Sequence, residues 1–429
     1  MKLRQIGSSN DVLRRTIFSI YSGLFIFSTV NREFVLFGRI DLRYITICLG
    51  FILLFFLLLR RIGKKEHNEK KKNKDSKAKD VIFYALVSLF VWSLVSNISW
   101  LWNGLEINTA PWIRQNILLA NNLIAVVVYK MNMDILDGEM IKKMMTLSCL
   151  ILVLSFLLTG FGLRMDQISG SAGTRSIHIS SDSSEFSNLF GGNFRVSGYA
   201  EDANYASILL VMGVIATICT ISFGKVLKII LSFIFLIALG FACSRTVLLS
   251  IVLGIMYYAV SYLLRKWTRA KYIFDTMIIV ALFVLSFILP RLGFLSSMNT
   301  MSTRYSLWGI SEETFAKSPV IGNGIGSARS AINMRNDGKW YVQPHSNYWQ
   351  ILTETGIVGA AIFTYLGVVC LNKKDNTRIE KIGVILLLIF GFTFEILQLQ
   401  IFVYAMYVQN LATRTKKGES NVKKRTIYS

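Results

Sequence analysis

The sequence predicts an all-α, polytopic membrane protein with about twelve transmembrane helices and two long extracytoplasmic loops. Its 429 residues are 53% hydrophobic and only 17% charged, whereas soluble domains carry about a quarter charged residues. The apolar residues also form long runs, such as ITICLGFILLFFLLL at Ile45–Leu59. A helix of about 20 apolar residues crosses the ~30 Å hydrocarbon layer. Residues 1–429 are therefore interpreted as a single integral membrane domain.

Twelve apolar runs are predicted to span the bilayer. They cover residues 16–30, 41–59, 81–102, 112–129, 144–162, 204–223, 229–243, 246–264, 272–290, 347–371, 382–395 and 397–412. The last two adjoin and could instead form one tilted helix, which would place the basic cytoplasmic tail 413–429 outside the cell. Twelve spans keep this tail and most of the 47 lysines and arginines in the cytoplasm, in agreement with the positive-inside rule.

The net charge of +22 has two interpretations, nucleic-acid binding and membrane orientation. The basic residues lie in short loops between apolar runs, where membrane proteins keep their cytoplasmic positive charge. We therefore expect a lipid bilayer as the environment and no nucleic-acid partner. The charged run RRIGKKEHNEKKKNKDSKAKD at 60–80 is interpreted as an orientation signal, with contact to anionic lipids as the alternative.

The cysteines are not arranged as a disulfide or zinc framework. All five fall in or at the ends of apolar runs without a C-x-x-C pair, and they are expected to be small buried side chains. The first apolar run, Ile17–Val30, is not followed by an A-x-A-like cleavage site. We therefore expect a retained helix rather than a cleaved signal peptide.

The two long extracytoplasmic loops are predicted at 163–203 and 291–346. Loops of this length are usually functional or disordered. The first begins rich in serine and glycine, and it ends in FRVSGYAEDANYA, which does not have the composition of a linker.

The second loop contains a predicted surface helix, Thr303–Lys317. Ser302 or Thr303 is expected to cap its start, and Pro319 follows its end. Its apolar residues are expected to form a stripe that lies on the membrane surface: Leu307, Trp308, Ile310 and Phe315.

Three arginines on the predicted outer side are candidates for function. Arg245, in FACSRTVLLS, lies where two apolar spans must turn within a few residues, so it is expected at or below the membrane surface. A charge held there is costly and often functional, with snorkelling to the headgroups as the alternative. Arg304 in MSTRYSLW and Arg195 in FRVSGYAEDANYA are candidates by position, with an ordinary surface charge as the alternative.

His345, in PHSNYW at the start of the tenth span, is the candidate for proton transfer. His67 lies in the cytoplasmic lysine run and His178 in the serine-rich stretch, so a site that titrates near neutrality is expected to use His345. A structural hydrogen bond is the alternative. Glu354 follows about two and a half helical turns later, on the opposite face, so no His–Glu dyad is expected and the role of Glu354 stays open. Glu395, at the last hairpin, is similarly placed.

Motifs for nucleotide or metal chemistry are absent from the sequence. The chain has no GxxxxGK[ST], HExxH or GxSxG, and no D-x-D pair of the kind that holds Mg²⁺ on a nucleotide sugar. The glycine-rich stretch Gly322–Ser327, GNGIGS, lacks a preceding strand and is interpreted as a flexible turn. We therefore expect no cofactor and no metal.

Four blocks follow one another between about residues 190 and 371: FRVSGYAEDANYA, CSRTVLLS, TRYSLWGISEETFAKSPVIGNGIG and PHSNYWQILTETGIVGA. Together they resemble the O-antigen polymerase/ligase superfamily of membrane glycosyltransferases, the Wzy-like proteins. They are similar to the family's Arg-x-x-Gly…Asp-Pro-Asn, Ser-Arg-Thr, Arg…Trp with Gly-x-Gly-x-Gly, and His-Asn segments. Ala203 stands in place of the usual proline, and Ser346 is inserted between His345 and Asn347.

The resemblance implies a metal-independent, inverting, GT-C-like enzyme of the bacterial cytoplasmic membrane with its active site on the extracytoplasmic face. The implied donor is a glycan on undecaprenyl diphosphate, and the acceptor is a sugar hydroxyl of another lipid-linked repeat unit. A flippase and a chain-length regulator are candidate partners.

The resemblance also implies roles for individual residues. Arg245 and Arg304 are assigned to the diphosphate, because an arginine fork stabilises growing negative charge without metal. His345 is assigned as the base that takes the proton of the acceptor hydroxyl. The remaining candidates are assigned to substrate binding: Arg195, Asn204, Asn347 and Glu354.

Two other functions remain as alternatives to an O-antigen or capsule polymerase. A ligase that transfers the finished glycan to lipid A core or to protein would use the same residues. A flippase or small-anion transporter would place charged residues along a midplane cavity between paired repeats. The candidate residues instead gather at one face beside two long loops, which favours an enzyme.

Overall fold

The structure is a computed structural model that describes residues 2–32, 34–36, 40–64, 80–104, 109–160, 164–165, 179–180, 196–200, 202–242, 244–291, 299–335, 343–373, 378–409 and 411. Apart from loops and two pairs of two-residue strands, these residues are helical, so the all-α prediction is confirmed. Long apolar runs favour helices because a helix satisfies its backbone hydrogen bonds within the segment.

The first part of the chain contains seven of the helices that the structure describes. They are α1 (Lys2–Val30), α2 (Leu42–Lys64), α3 (Val81–Val95), α4 (Thr109–Met131), α5 (Gly138–Gly160), α6 (Ala203–Cys219) and α7 (Lys225–Ala242). A 3₁₀ turn, Ser96–Leu101, extends α3. Antiparallel pairs join β1 (Val35–Leu36) to β2 (Ile40–Asp41) and β3 (Arg164–Met165) to β4 (Ile179–Ser180).

The second part of the chain contains the helices that carry most of the candidate site residues. They are α8 (Arg245–Leu263), α9 (Thr268–Ile288), α10 (Asn299–Lys317), α11 (Ser327–Arg335), α12 (Asn347–Asn372), α13 (Arg378–Phe390) and α14 (Gln400–Val403). A π-helical turn, Tyr404–Val408, continues α14.

Within the described residues, 7 helices are long and apolar enough to cross a membrane. The corresponding segments are Leu42–Leu59, Val81–Leu101, Gly138–Leu158, Lys225–Ala242, Arg245–Lys266, Thr268–Ile288 and Asn347–Asn372. Helix α6 is apolar but shorter. Each of the twelve predicted runs overlaps a helix, while the total of twelve spans and the sides of the loops stay predictions.

The helices form two compact units with separate cores. The first comprises residues 1–79, 127–247 and 408–429, and the second comprises residues 80–126 and 248–407. In the first unit, the ring of Tyr129 contacts Phe18, Tyr21 and Phe25 of α1 at centroid distances of 5.6, 6.0 and 5.7 Å. These rings are buried, and such aromatic pairs add about 0.5–1.5 kcal/mol each beyond burial.

Helix α12 forms the centre of the second unit. Tyr348 in its first turn contacts Phe283 of α9 at 4.7 Å between ring centroids. Further along, a Cβ at Gly367 would lie 2.6 Å from Cδ1 of Ile279 in α9. The missing side chain therefore lets α9 and α12 pack closely, and this packing fixes the start of α12, where the candidate residues lie.

Helix α10 confirms one prediction and corrects two others. The predicted helix Thr303–Lys317 is present, but it begins at Asn299, so neither Ser302 nor Thr303 is its N-cap. Leu307 and Trp308 are 3% and 0% exposed, so the expected stripe on the membrane surface is wrong for these side chains. They belong to the protein core, and an apolar stripe has the same periodicity whether it faces lipid or protein.

The cysteines match the expectation of buried side chains in part. Cys149 and Cys370 are buried, Cys219 is partly buried and Cys48 is exposed, and all of these are free thiols. The expectation is wrong for Cys48 because α2 turns this side chain away from the protein core. Cys243 lies outside the described residues.

Candidate functional site

The chain turns sharply at His345 immediately before α12. His345 has a φ of 52°, the one positive φ of a non-glycine residue in the described chain. Helix α12 then begins at Asn347, with the hydroxyl of Ser346 accepting a hydrogen bond from the Trp349 N–H at 3.4 Å. The serine inserted between the histidine and the asparagine is therefore the N-cap of the helix. His345 itself lies outside the helix and is partly exposed.

Asn347 connects the start of α12 to the loop that follows α13. Its backbone N–H donates to the Gly391 carbonyl at 2.7 Å. Its side-chain Oδ1 accepts hydrogen bonds from the N–H groups of Ile396 and Leu397 at 3.1 and 3.0 Å. Asn347 is fully buried, so these contacts fix the loop 391–399 beside His345.

Glu395 is the carboxylate that this loop brings to His345. The His345 N–H donates to Oε1 of Glu395, which is 5% exposed. Burial raises the pKa of Glu395, and the nearby charges of His345 and Arg304 act in the opposite direction. Arg304, His345 and Glu395 therefore form one electrostatic cluster, referred to below as the His345 cluster.

Helix α10 places Arg304 in this cluster. The Trp308 indole N–H, one turn after Arg304, donates to the Pro344 carbonyl at 2.8 Å. Further along α10, the Ser311 carbonyl accepts a hydrogen bond from the Thr353 hydroxyl at 3.1 Å. These two contacts hold α10 against the His345 turn and the first turns of α12. Arg304 is partly buried, in a position where a guanidinium can reach a bound anion.

The hydrogen bonds of Glu354 go to groups other than His345, in agreement with the expectation of no His–Glu dyad. Helix α12 begins after His345, so helical spacing is not the reason. Oε1 of Glu354 accepts the Gly326 N–H at 3.0 Å, and Oε2 accepts a hydrogen bond from Gln350 at 3.3 Å. Glu354 is 1% exposed, and Arg329 of α11 supplies a nearby positive charge.

The stretch Gly322–Ser327 is buried and tightly held, so its interpretation as a flexible turn is wrong. Gly322, Gly324 and Gly326 have φ values of 87°, 85° and 81°, which glycine adopts without steric cost. The Gly324 N–H donates to the Glu354 carbonyl at 3.0 Å. A Cβ at Gly322 would collide with that same carbonyl. We call this stretch the glycine turn.

The glycine turn fits against a break in α12. The helix is interrupted at Gly356, which has a φ of 67° and a ψ of −168°. At the break, the Ile357 N–H donates to the Pro319 carbonyl at 2.9 Å, and the Thr353 carbonyl accepts the Asn323 N–H at 2.8 Å. Glu354 therefore ties the glycine turn to α12, and its contacts describe a structural role.

In the first unit, Asn204 contacts Ser244, the residue before Arg245. The Ser244 hydroxyl donates to Oδ1 of Asn204 at 2.9 Å, and it accepts the Val247 N–H at 3.3 Å as the cap of α8. Asp202 caps α6 through the Asn204 N–H at 2.7 Å. Arg245 is thus the first residue of α8, and it is exposed.

The structure therefore groups the predicted site residues into two sets. Asn204 and the Ser244–Arg245 pair lie at the starts of α6 and α8, whereas Arg304, His345 and Asn347 lie around the start of α12. Arg195 and His178 lie outside the described residues. Glu395 was not assigned to the site from the sequence, although an acid inside an apolar run near a predicted hairpin was the signal that could have identified it. Across the described ranges, no group of at least 3 His, Cys, Asp or Glu side chains is arranged to hold a metal.

Comparison with known proteins confirms the family resemblance for part of the chain. Residues 230–364 match the O-antigen ligase family, a stretch that contains Arg245, Arg304 and His345. No curated protein and no solved structure matches the chain. The match and the apolar helices support a multi-pass enzyme of the O-antigen ligase/polymerase type in the bacterial inner membrane.

Proposed function

We propose that this chain of the O-antigen ligase/polymerase type is an O-antigen or capsule polymerase. Its donor would be a glycan on undecaprenyl diphosphate, and its acceptor the sugar hydroxyl of another lipid-linked repeat unit. The observation that carries the proposal is the His345 cluster, which lies within or beside the residues that match the O-antigen ligase family. It combines a cation, a histidine and a buried carboxylate at the start of an apolar helix.

The proposed reaction is a single displacement at the anomeric carbon of the donor. The acceptor hydroxyl oxygen forms a bond to that carbon while the bond from the carbon to the diphosphate oxygen breaks. The diphosphate leaves with the electron pair, and the hydroxyl proton passes to His345. Attack opposite the leaving group inverts the anomeric centre.

Arg304 acts in this proposal on the departing diphosphate, and the same role for Arg245 rests on the family resemblance alone. A diphosphate is a weak base, so its departure needs stabilisation of negative charge more than it needs a proton. Arginine is always charged and presents paired N–H donors that match phosphate oxygens. A guanidinium can supply this stabilisation without a metal ion.

Glu395 acts in this proposal on the histidine. Its carboxylate accepts the backbone N–H of His345 and so fixes the strained turn that presents the imidazole. A carboxylate near an imidazole also stabilises the positive charge that the ring gains when it takes a proton. Glu395 is therefore a positioning residue rather than a group that touches the sugar. Asn347 supports the same arrangement by holding the loop of Glu395 in place.

A ligase is the second candidate, because the matching family is described by its ligase activity. Both functions use the same bond exchange and differ in the acceptor. A gene deletion followed by gel analysis of glycans separates them. A polymerase deletion reduces a ladder to a single repeat unit, whereas a ligase deletion leaves long unattached polymer. Accumulation of lipid-linked repeats inside the cell would indicate a flippase and would contradict both candidates.

Substitution of Arg245 tests the proposed use of the guanidinium. Arg245→Lys keeps the charge but removes the paired donors, so we expect it to lose elongation nearly as completely as Arg245→Ala. The glycan ladder in the complemented deletion strain measures this. Arg269→Lys, at an exposed arginine of α9, is the matched control and should keep a normal ladder. A normal ladder in Arg245→Lys would show that paired donation is not required.

A further inference from the structure

A basic pocket lies at the other end of α12 from His345, between the end of α8, the start of α9 and the start of α13. It has a volume of about 160 Å³, whereas one water occupies ~30 Å³ in the liquid. Its lining includes four cationic side chains, Arg265, Lys271, Arg378 and Lys381. Such a volume holds a phosphate group and a few waters.

Two residues that line the pocket, Tyr257 and Lys271, are held by a buried carboxylate. Asp275 of α9 is fully buried. It accepts hydrogen bonds from the Tyr257 hydroxyl at 2.8 Å and from the Lys271 ammonium at 2.6 Å. Asn372, the last residue of α12, donates to Asp275 at 2.6 Å and accepts from Lys271 at 3.0 Å. The negative charge of Asp275 is therefore already paired with Lys271.

The other three cations have no such partner. In the part of the chain that the structure describes, no carboxylate forms an ion pair with Arg265, Arg378 or Lys381. The guanidinium carbons of Arg265 and Arg378 both lie over the Tyr262 ring, at 4.1 and 5.4 Å from its centroid. Two cations beside one ring repel each other, and an anion bound next to them would offset that repulsion.

Lys381 also lies where positive charge is in excess, as its pKa shows. Burial lowers its pKa, the charge of Lys271 lowers it further, and Asp275 opposes the shift. A bound anion would remove the excess of positive charge around Tyr262 and Lys381.

The surroundings of the pocket indicate where such an anion would come from. Trp267 and Leu263 next to the pocket are 69% and 76% exposed, and Tyr262 is 41% exposed. Exposed aromatic side chains between an apolar helix and a basic loop are typical of the membrane–water interface. Basic pockets between helix ends on the cytoplasmic side bind anionic lipid headgroups. The predicted topology places this end of α8, α9 and α12 on the cytoplasmic side.

We propose that the pocket lined by Arg265, Arg378 and Lys381 binds the phosphate of an anionic phospholipid headgroup. It lies about 26 residues of helix away from the His345 cluster, at the opposite end of α12. It is therefore separate from the site assigned to the glycan donor, and it does not depend on the proposed function. The aliphatic part of the lipid would lie along the exposed apolar residues of α8 and α9.

The test uses the full-length protein in nanodiscs, with phosphatidylglycerol titrated into phosphatidylcholine. Native mass spectrometry counts the retained lipid, and thermal unfolding reports its effect on stability. We expect the wild type to retain phosphatidylglycerol in preference to phosphatidylcholine. The double variant Arg378→Gln/Lys381→Gln should lower that affinity by about tenfold or more, with unchanged thermal unfolding in pure phosphatidylcholine.

A matched control separates the pocket from general surface charge. The double variant Lys266→Gln/Arg269→Gln removes the same charge from exposed residues of the same region that do not line the pocket. It should change the affinity by less than about twofold. Equal losses in both double variants would refute a specific pocket, as would equal retention of the two lipids.

Two further arms complete the test. If inorganic phosphate stabilises the wild type as well as phosphatidylglycerol does, the lipid source is wrong and the pocket binds a soluble phosphate. Arg265→Gln, at an exposed residue of the pocket, replaces the double variant if that variant fails to insert. The same loss of phosphatidylglycerol retention is then expected, and retention at the wild-type level would contradict the proposal.

Discussion

Glu354 and Glu395 are two buried carboxylates of the same unit, and they face different kinds of partner. Glu354 accepts hydrogen bonds from a backbone N–H and a side-chain amide, and it ties the glycine turn to α12. Glu395 lies in a loop and faces a histidine and an arginine. Each acid has a cation nearby, Arg329 for Glu354 and Arg304 for Glu395. What distinguishes Glu395 is the titratable histidine that it faces, and such neighbours are typical of sites that bind or move charge.

The comparison also shows why the acid nearest to His345 in sequence is not its partner in space. A histidine and a glutamate on one helix meet only at spacings of three or four residues. His345 precedes the helix, and Asn347 recruits a loop some fifty residues further along the chain. Burial alone therefore does not distinguish a structural acid from a site acid. The identity of the groups next to the carboxylate distinguishes the two kinds of acid.

The largest expected effect is loss of activity in His345→Ala. If His345 is the base, its removal should lower elongation by about a hundredfold or more, while membrane insertion and thermal unfolding stay close to wild type. Polymer length on glycan gels and protein level in membranes measure the two properties. His67→Ala, in the predicted cytoplasmic lysine run, is the control. A normal ladder in His345→Ala would show that His345 is not the base.

The next effect separates the two acids directly. Glu395→Gln still accepts the His345 N–H but loses the negative charge, so we expect elongation to fall by about tenfold to a hundredfold with little change in stability. Glu354→Gln also keeps an acceptor for Gly326, and elongation should stay within about threefold of wild type. Initial rates of polymer formation in isolated membranes measure both. Equal losses in the two variants would show that the proposed division of roles is wrong.

The structural role proposed for the segment around Glu354 is tested at the glycine turn. Gly322→Ala adds a Cβ that collides with the Glu354 carbonyl at a positive φ, so we expect a loss of about 2–4 kcal/mol or failure to accumulate. Gly309→Ala is the control, because nothing lies within 4 Å of a Cβ at that position of α10. Thermal unfolding in detergent measures both, and equal midpoints in the two variants would contradict a tightly held turn.

The smallest expected effect is a pH dependence of stability at Glu395. Its pKa is raised above the ordinary value of 4.5, so the folded state binds the proton more tightly than the unfolded state. Its stabilising contribution is therefore present below about pH 4.5 and is lost as the pH rises through the raised pKa. Glu395→Gln lacks this titration. The stability of the wild type relative to Glu395→Gln should decline as the pH rises through this window, and a difference that is flat with pH would argue against a raised pKa.

The sequence predicts the helical architecture well because a long apolar run in a membrane satisfies its backbone hydrogen bonds by forming a helix. Every predicted run overlaps a helix, and the predicted helix in the second long loop is present as α10. Whether the apolar stripe of α10 faces lipid or protein is harder to predict. Trp308 belongs to an apolar stripe in either case, and only the packing against Pro344 and Phe392 shows that it is buried in the protein.

The site could be predicted only where its residues carry an unusual chemical type or position. His345 stands out because the chain has 3 histidines, and Arg245 stands out by its apolar flanks. Glu395 stands out as an acid in an apolar run, but its partner does not, and the glycine turn does not stand out as a site. Their roles depend on contacts between distant segments, and a row of glycines fits a rigid turn as well as a flexible one.

The hydrogen bonds that Asn347 accepts from Ile396 and Leu397 also have a consequence for the order in which the cluster forms during synthesis. The loop that it holds, residues 391–399, is synthesised after α12 and α13. A nascent chain that ends before this loop contains Arg304 and His345. It lacks Glu395 and the two backbone N–H groups that donate to Asn347. The His345 cluster is therefore completed only late in translation, after most of the chain has already been synthesised.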